Sequence, residues 1–171
     1  MKKAIILLAL AAVAFVACEK NPIEKTAAVD MSGDWYVTCD GYFNDGSAPL
    51  VDPFGIGNFH ILTANTAANV ATEMLLADTE DGSFWDFRCK IAADPAKLTF
   101  SATDSVNYSY DDCTVTITDG KILKGAAKTP SGMPADSISF HILFSDDPNA
   151  PTYYDDLHVH GYRYTGLAGD E

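Results

Sequence analysis

Three of the four histidines fall where two neighbouring strands would gather them. His158 and His160 alternate with Leu157 and Val159, and His141 lies between Phe140 and Ile142, so on strands of period two all three face away from an apolar side. If these segments form a hairpin about loop 145–155, with inward residues matched to inward, His141 lies across from His158 or His160. That pair is about 5 Å apart, and the remaining histidine is one diagonal step away. Three imidazoles so placed can bind zinc with the fourth position open. No residue in the pattern supplies the partners that orient metal-binding rings, so the reading adopted is a polar outer wall, with no metal and no cofactor. Serine hydrolysis has less support. There is no Gly-x-Ser-x-Gly, and Ser131, which could meet His141 only through folding, sits between Pro130 and Gly132 as a turn residue would. The run Asp146, Asp147, Asn149, Asp155 and Asp156 lacks the spacing of a calcium loop and reads as an acidic loop.

Cys39, Cys89 and Cys113 are each in phase with the apolar residues of their segments. Three is an odd number for a disulfide framework. In a meander, Cys89 and Cys113 stand one strand apart, about 9 to 10 Å, which is too far to bridge. Buried, unreactive thiols are expected.

The elements that must position these residues are short and alternating. Trp35, Val37 and Cys39 oppose Tyr36 and Thr38 in the first strand, and a long Gly-, Pro- and Asp-rich connection, 42–57, leads to a second at 58–63. Residues 67–77 could be helical or could enter a strand at 74–78. Strands are predicted at 83–91, 97–101 and 113–118, with Asp119-Gly120 as a two-residue hairpin into 121–127, then at 137–145 and 156–165. Eight or nine such strands, with no long helix predicted, argue for an all-β domain: an up-and-down antiparallel barrel or a β-sandwich. The inward rings Phe59, Trp85, Phe87, Phe100, Phe140 and Phe144 are the candidate ligand contacts. Loops 42–57 and 129–135 are the candidate mouth.

Residues 1–17 run from Lys2-Lys3 through an apolar stretch to Ala17, the layout of a secretory signal. Phe15-Val16-Ala17-Cys18 resembles the bacterial lipobox, which implies cleavage before Cys18 and acylation of that cysteine as a membrane anchor. Residues 18–31 read as a flexible tether and 32–171 as the folded domain. The chain has 24 Asp and Glu against eleven Lys and Arg; Lys2 and Lys3 leave with the signal, so nine basic residues remain. Nucleic acid is excluded as a partner, because phosphate binding needs clustered bases.

Gly33-Asp34-Trp35 resembles the glycine-any-tryptophan opening of the calycins, lipocalin-like barrels in which a first-strand tryptophan closes one end beneath an arginine of the last strand. Arg163 is in phase with Leu157 and Val159 and is the matching arginine, which favours the barrel of eight to nine strands over the sandwich. Ser32-Gly33-Asp34-Trp35-Tyr36, Asn65-Thr66-Ala67-Ala68-Asn69, Thr129-Pro130-Ser131-Gly132, Ala135-Asp136-Ser137-Ile138 and Gly161-Tyr162-Arg163-Tyr164-Thr165-Gly166, in this order behind a lipobox, are similar to bacterial lipoproteins catalogued as lipid-binding putative hydrolases. The resemblance implies a calycin-like barrel holding a lipid. Its hydrolase half attaches to no residue of this chain. The expected protein is therefore a binder of a small apolar or amphiphilic ligand and not an enzyme, anchored through Cys18 in the cell envelope, with the outer membrane preferred. An envelope hydrolase of ester-like bonds, with zinc at His141, His158 and His160, is the alternative.

Overall fold

The computed structural model describes residues 25–79 and 84–170. Its strands are β1 (Gly33–Tyr42), β2 (Leu50–Val51), β3 (Phe59–Asn65), β4 (Glu73–Asp78), β5 (Arg88–Asp94), β6 (Thr99–Val106), β7 (Thr114–Lys128), β8 (Pro134–Phe144) and β9 (Asp156–Arg163). A 3-10 turn at Ala168–Asp170 is the one helical element among the described residues. The competing helix at 67–77 does not form: a turn at 66–72 leads into β4.

The strands run as an antiparallel meander, β1-β3-β4-β5-β6-β7-β8-β9, and β9 returns to pair antiparallel with β1 from Trp35↔Arg163 to Tyr42↔Asp156. Eight strands thus close a barrel of the expected class, and β2 is an extra strand on the far end of β1, at Asp40↔Val51 and Gly41↔Leu50. Closure needs two backbones to approach closely. A Cβ at Gly161 would fall on the Tyr36 carbonyl and Val37 Cα, so glycine is what lets β9 lie against β1 there.

Asp119-Gly120, expected as a hairpin, is a bulge inside one continuous strand. The β7–β8 register passes from Thr118↔His141 to Lys121↔Ser139, so two residues of β7 face one of β8. Asp119 takes the left-handed conformation (φ 53°). A side chain at Gly120 would occupy the place of the Phe100 carbonyl and ring, and Phe100 packs edge-on against Phe140 with centroids 5.6 Å apart. Interior packing across the bulge has overridden the local turn signal.

Because the meander has no turn there, the connections 43–58, 107–113 and 145–155, with 79 and 84–87, lie at one end, and 66–72, 95–98 and 129–133 at the other, with the entering and leaving chain. The two expected mouth loops are therefore at opposite ends. The second end is closed by Trp35, fully buried, with the Arg163 guanidinium carbon 4.4 Å above its ring. Trp35 Nε1 donates to Thr63 Oγ1 at 2.8 Å, and Thr63 donates in turn to the Met31 carbonyl at 2.7 Å. Arg163 donates to the Ser32 carbonyl (2.7 Å) and to Asp136 (3.2 Å). Burial opposes the charge of Asp136, yet the Gly125 N–H, Lys124 and Arg163 outweigh it and hold its carboxyl below the usual range. Residues 25–31, assigned from sequence to the tether, are folded into this end, with Ala28 and Met31 fully buried. The rest of the expected tether, the signal segment and Cys18 lie outside the described residues.

Candidate functional site

The opposite end is closed by loops and rings. Phe59 on β3 and Phe144 at the end of β8 are buried, and each carries a ring from the segment before β5. Phe84 stacks on Phe59 at 4.6 Å and 20°, and Trp85 stacks on Phe144 at 4.5 Å and 3°. Phe54 leans edge-on against Phe84 and Trp85, both at 6.1 Å. Short acids fix the loops that carry these rings. Asp52 accepts from the Ile56 and Gly57 N–H groups at 3.0 Å each, and Asp78 from the Phe84 and Trp85 N–H groups at 3.1 and 3.2 Å. A side-chain relay then joins three loops: Trp85 Nε1 donates to Tyr110 Oη (3.0 Å), and Tyr110 donates to Asp146 (2.7 Å). Burial, then Cys113 and Asp146, push the Tyr110 hydroxyl up.

Of the six rings named from sequence, the fold brings Phe59, Trp85, Phe87 and Phe144 together at this end, with Phe87 edge-on to Phe144 at 5.4 Å. Phe100 and Phe140 form the separate pair at the bulge. Phe59, Phe87, Phe100, Phe140 and Phe144 are exposed by 4% or less, so the barrel interior around them is filled by packed side chains. Trp85 is half-buried, and it leaves the strand phase that the sequence assigned it because β5 begins only at Arg88. Sequence reasoning missed Phe54, Phe84 and Tyr110, and Tyr154, which packs edge-on to Phe54 at 6.4 Å. All four sit in connections where no period marks an inward face; only the density of rings in Phe84-Trp85 next to Phe87 could have flagged them.

The three histidines meet on the outer wall, with His141 paired to His158 across β8 and β9. Their rings form a ladder, His141 on His158 at 4.7 Å and 20°, His158 on His160 at 4.8 Å and 31°. Stacked faces do not converge nitrogens on one point. Each ring also has its own partner: His141 Asp156 at 2.8 Å, His160 Asp40 at 3.2 Å, and His158 the Ser139 hydroxyl at 2.9 Å. Among the described residues no group of three His, Cys, Asp or Glu is arranged to hold a metal ion, so the zinc arrangement expected of the alternative does not form. Burial first, then His160 and His141, depress the His158 imidazole to about 4.

The Ser139–His158 contact resembles half of a nucleophilic dyad. However, the nearby carboxylates are engaged by the flanking histidines, and Ser139 pairs with Lys121 on one side and His160 on the other, within the ladder. Ser131 is elsewhere, in the β7–β8 turn at the closed end, where its N–H donates to Asp170 at 3.1 Å and its hydroxyl meets Thr129 at 3.0 Å. Hydrogen bonds from Ser131 and Thr165 lower the Asp170 carboxyl to about 2. Cys39, Cys89 and Cys113 are free and buried; burial, helped by Cys113, pushes Cys89 up to about 12.

An eight-stranded meander closed by a first-strand tryptophan beneath a last-strand arginine, with its other end covered by loops, is the architecture of a calycin-like binding barrel. Residues 20–168 match the family model described as lipid-binding putative hydrolase, and the chain belongs to that family. A search of curated proteins finds no match.

Proposed function

We propose that this protein is a lipid-anchored envelope protein that takes up one small apolar or amphiphilic ligand at the loop end of its barrel. The observation that carries this reading is the pair Phe84 and Trp85: two half-buried rings, held by loops, stacked on the buried Phe59 and Phe144. A filled barrel admits a ligand only where side chains can leave, and rings on loops can leave at less cost than rings on strands. Displacement of Phe84 and Trp85 exposes the apolar faces of Phe59, Phe87 and Phe144, a lining suited to an acyl chain, with the Tyr110 hydroxyl and Asp146 at its rim. Membership of a lipid-binding family supports the same ligand class. The signal segment and its lipobox-like Cys18 support the anchor and the envelope address.

The test is fluorescence of the folded domain, residues 25–171, titrated with oleate and with lysophosphatidylcholine. A saturable shift in Trp85 emission, absent in Trp85→Phe and weakened in Phe87→Asp, is the expected result. A flat titration with both probes overturns the reading. Anchorage is tested separately: Cys18→Ala should move the full chain from the membrane to the soluble fraction and abolish labelling by a fatty-acid probe.

A further inference from the structure

We propose that the loop end of the barrel faces away from the membrane that holds the chain, so that ligand is exchanged with the aqueous side and not drawn from the anchoring leaflet. This rests on the anchorage at Cys18 and the loop-end site proposed above.

The first observation is where the chain enters the fold. Segment 25–32 is seated in the closed end: the Ala27 and Ala28 N–H groups donate to Asn69 and Asn65 (2.9 and 3.3 Å), and Lys124 donates to the Asp30 carbonyl (2.8 Å). Seven residue steps separate Cys18 from Lys25, a reach of about 25 Å at full extension. The ten residues of β1, tilted as barrel strands are, place the loop end about 25 Å beyond the closed end. Bringing the loop end down to the bilayer therefore consumes the whole contour length of the connecting residues. The closed end gets there without stretching.

The second observation is charge. The described residues of the four loop-end connections include eight aspartates, of which Asp45, Asp86, Asp111, Asp112 and Asp146 are exposed, and no Lys or Arg. Arg88, the first residue of β5, is the one strand-end cation there among the described residues; at the closed end stand Lys25 and Lys97 in the connections and Lys124, Lys128 and Arg163 on the adjoining strands, offset by a similar number of acids. An anionic bilayer surface repels the first end and tolerates the second. Tether geometry and electrostatics select the same orientation independently.

Energy transfer in vesicles tests it. Met133→Cys in the closed-end turn and Tyr153→Cys in a loop-end connection are both exposed, at 57% and 63%, and the native thiols of the domain are buried. Each variant of the full lipidated chain is labelled with a donor dye and reconstituted in phosphatidylethanolamine–phosphatidylglycerol vesicles carrying an acceptor-labelled phospholipid. Transfer several-fold stronger from position 133 than from 153 is expected, with oleate added in buffer still shifting Trp85. Equal or stronger transfer from 153, in chains that float with the vesicles, overturns the orientation. Failure to float overturns the anchorage instead, and a silent Trp85 with normal flotation and transfer overturns the loop-end site, so the three failures are distinguishable.

Discussion

Each end of the barrel is built around a tryptophan, and the two are held in different ways. Trp35 belongs to β1, is fully buried, and is fixed by Arg163 above its face, by Thr63 at its ring nitrogen and by the 25–31 turn behind it. Trp85 belongs to a loop and is half-buried; its ring is held by a stack on Phe144, an edge contact with Phe54 and a hydrogen bond to Tyr110, and its backbone N–H by Asp78. Contacts made by strands that are themselves paired on both sides cannot be lost singly, whereas a loop ring can swing out while the sheet stays whole. The comparison teaches that the same residue type serves as structural closure at one end and as a removable cover at the other.

The sharpest way to break the comparison is to remove each indole. Trp35→Ala should cost about 3–5 kcal/mol, the usual range for emptying a large buried site, and should also loosen the 25–31 turn. Trp85→Ala should cost about 1–2 kcal/mol, since that ring is already partly exposed. Urea melts of both variants check this; equal losses would mean that the loop end is as rigid as the closed end. Next in size is Arg163→Ala, at about 1–2 kcal/mol for the lost cation–π contact and the bonds to Ser32 and Asp136. Arg163→Lys should not recover it, because an ammonium cannot stack and fork at once. Oleate affinity should be unchanged in both, and a change would couple the two ends.

A third prediction concerns the wall between them. His158 faces His141 on β8, His160 on its own strand, Asp40 on β1 and Lys121 on β7, and its imidazole is depressed from 6.5 to about 4. A histidine whose folded value lies below its unfolded one binds more protons unfolded in that window, so stability is fully present above pH 6.5 and falls as pH drops toward 4. The full shift corresponds to about 3 kcal/mol, and because the ring is partly exposed, solvent screening reduces the expected loss to about 1–2 kcal/mol. His158→Gln should flatten that part of the stability profile. An unchanged slope would assign the acid sensitivity to other groups.

Much of this was legible in the residues, and the failures have one physical root. Period-two alternation placed Trp35, Cys39, Phe87, Cys89, Val115 and Ile138 inside, because one buried face imposes it. Asp119-Gly120 broke the reading. Its backbone preference is that of a hairpin, but only Asp119 adopts a positive φ, and Gly120 serves instead to admit Phe100. A spurious turn adds a strand to a meander and reverses every later one, so it carried loop 129–135 to the wrong end of the barrel. The histidine face was legible from spacing, while its partners Asp40 and Asp156 were not, since they come from different elements that only closure brings together. The 25–31 turn has no period at all; it is ordered by the hole it fills.

The smallest expected effect is the most informative about the cover. Tyr110→Phe removes the hydroxyl that joins Trp85 Nε1 to Asp146 and should cost no more than about 1 kcal/mol, as the freed indole N–H lies near solvent. If a ligand enters by displacing Trp85, breaking this hydrogen bond is part of the work of binding in the native protein, and removing it in advance should tighten oleate binding by up to about tenfold while barely moving the melt. The direction separates three arrangements. Tighter binding means that Trp85 leaves on ligand entry; weaker binding means that the Tyr110 hydroxyl contacts the ligand itself; unchanged binding means that the indole stays where it is and the route into the barrel runs past Phe84 or Phe54 alone.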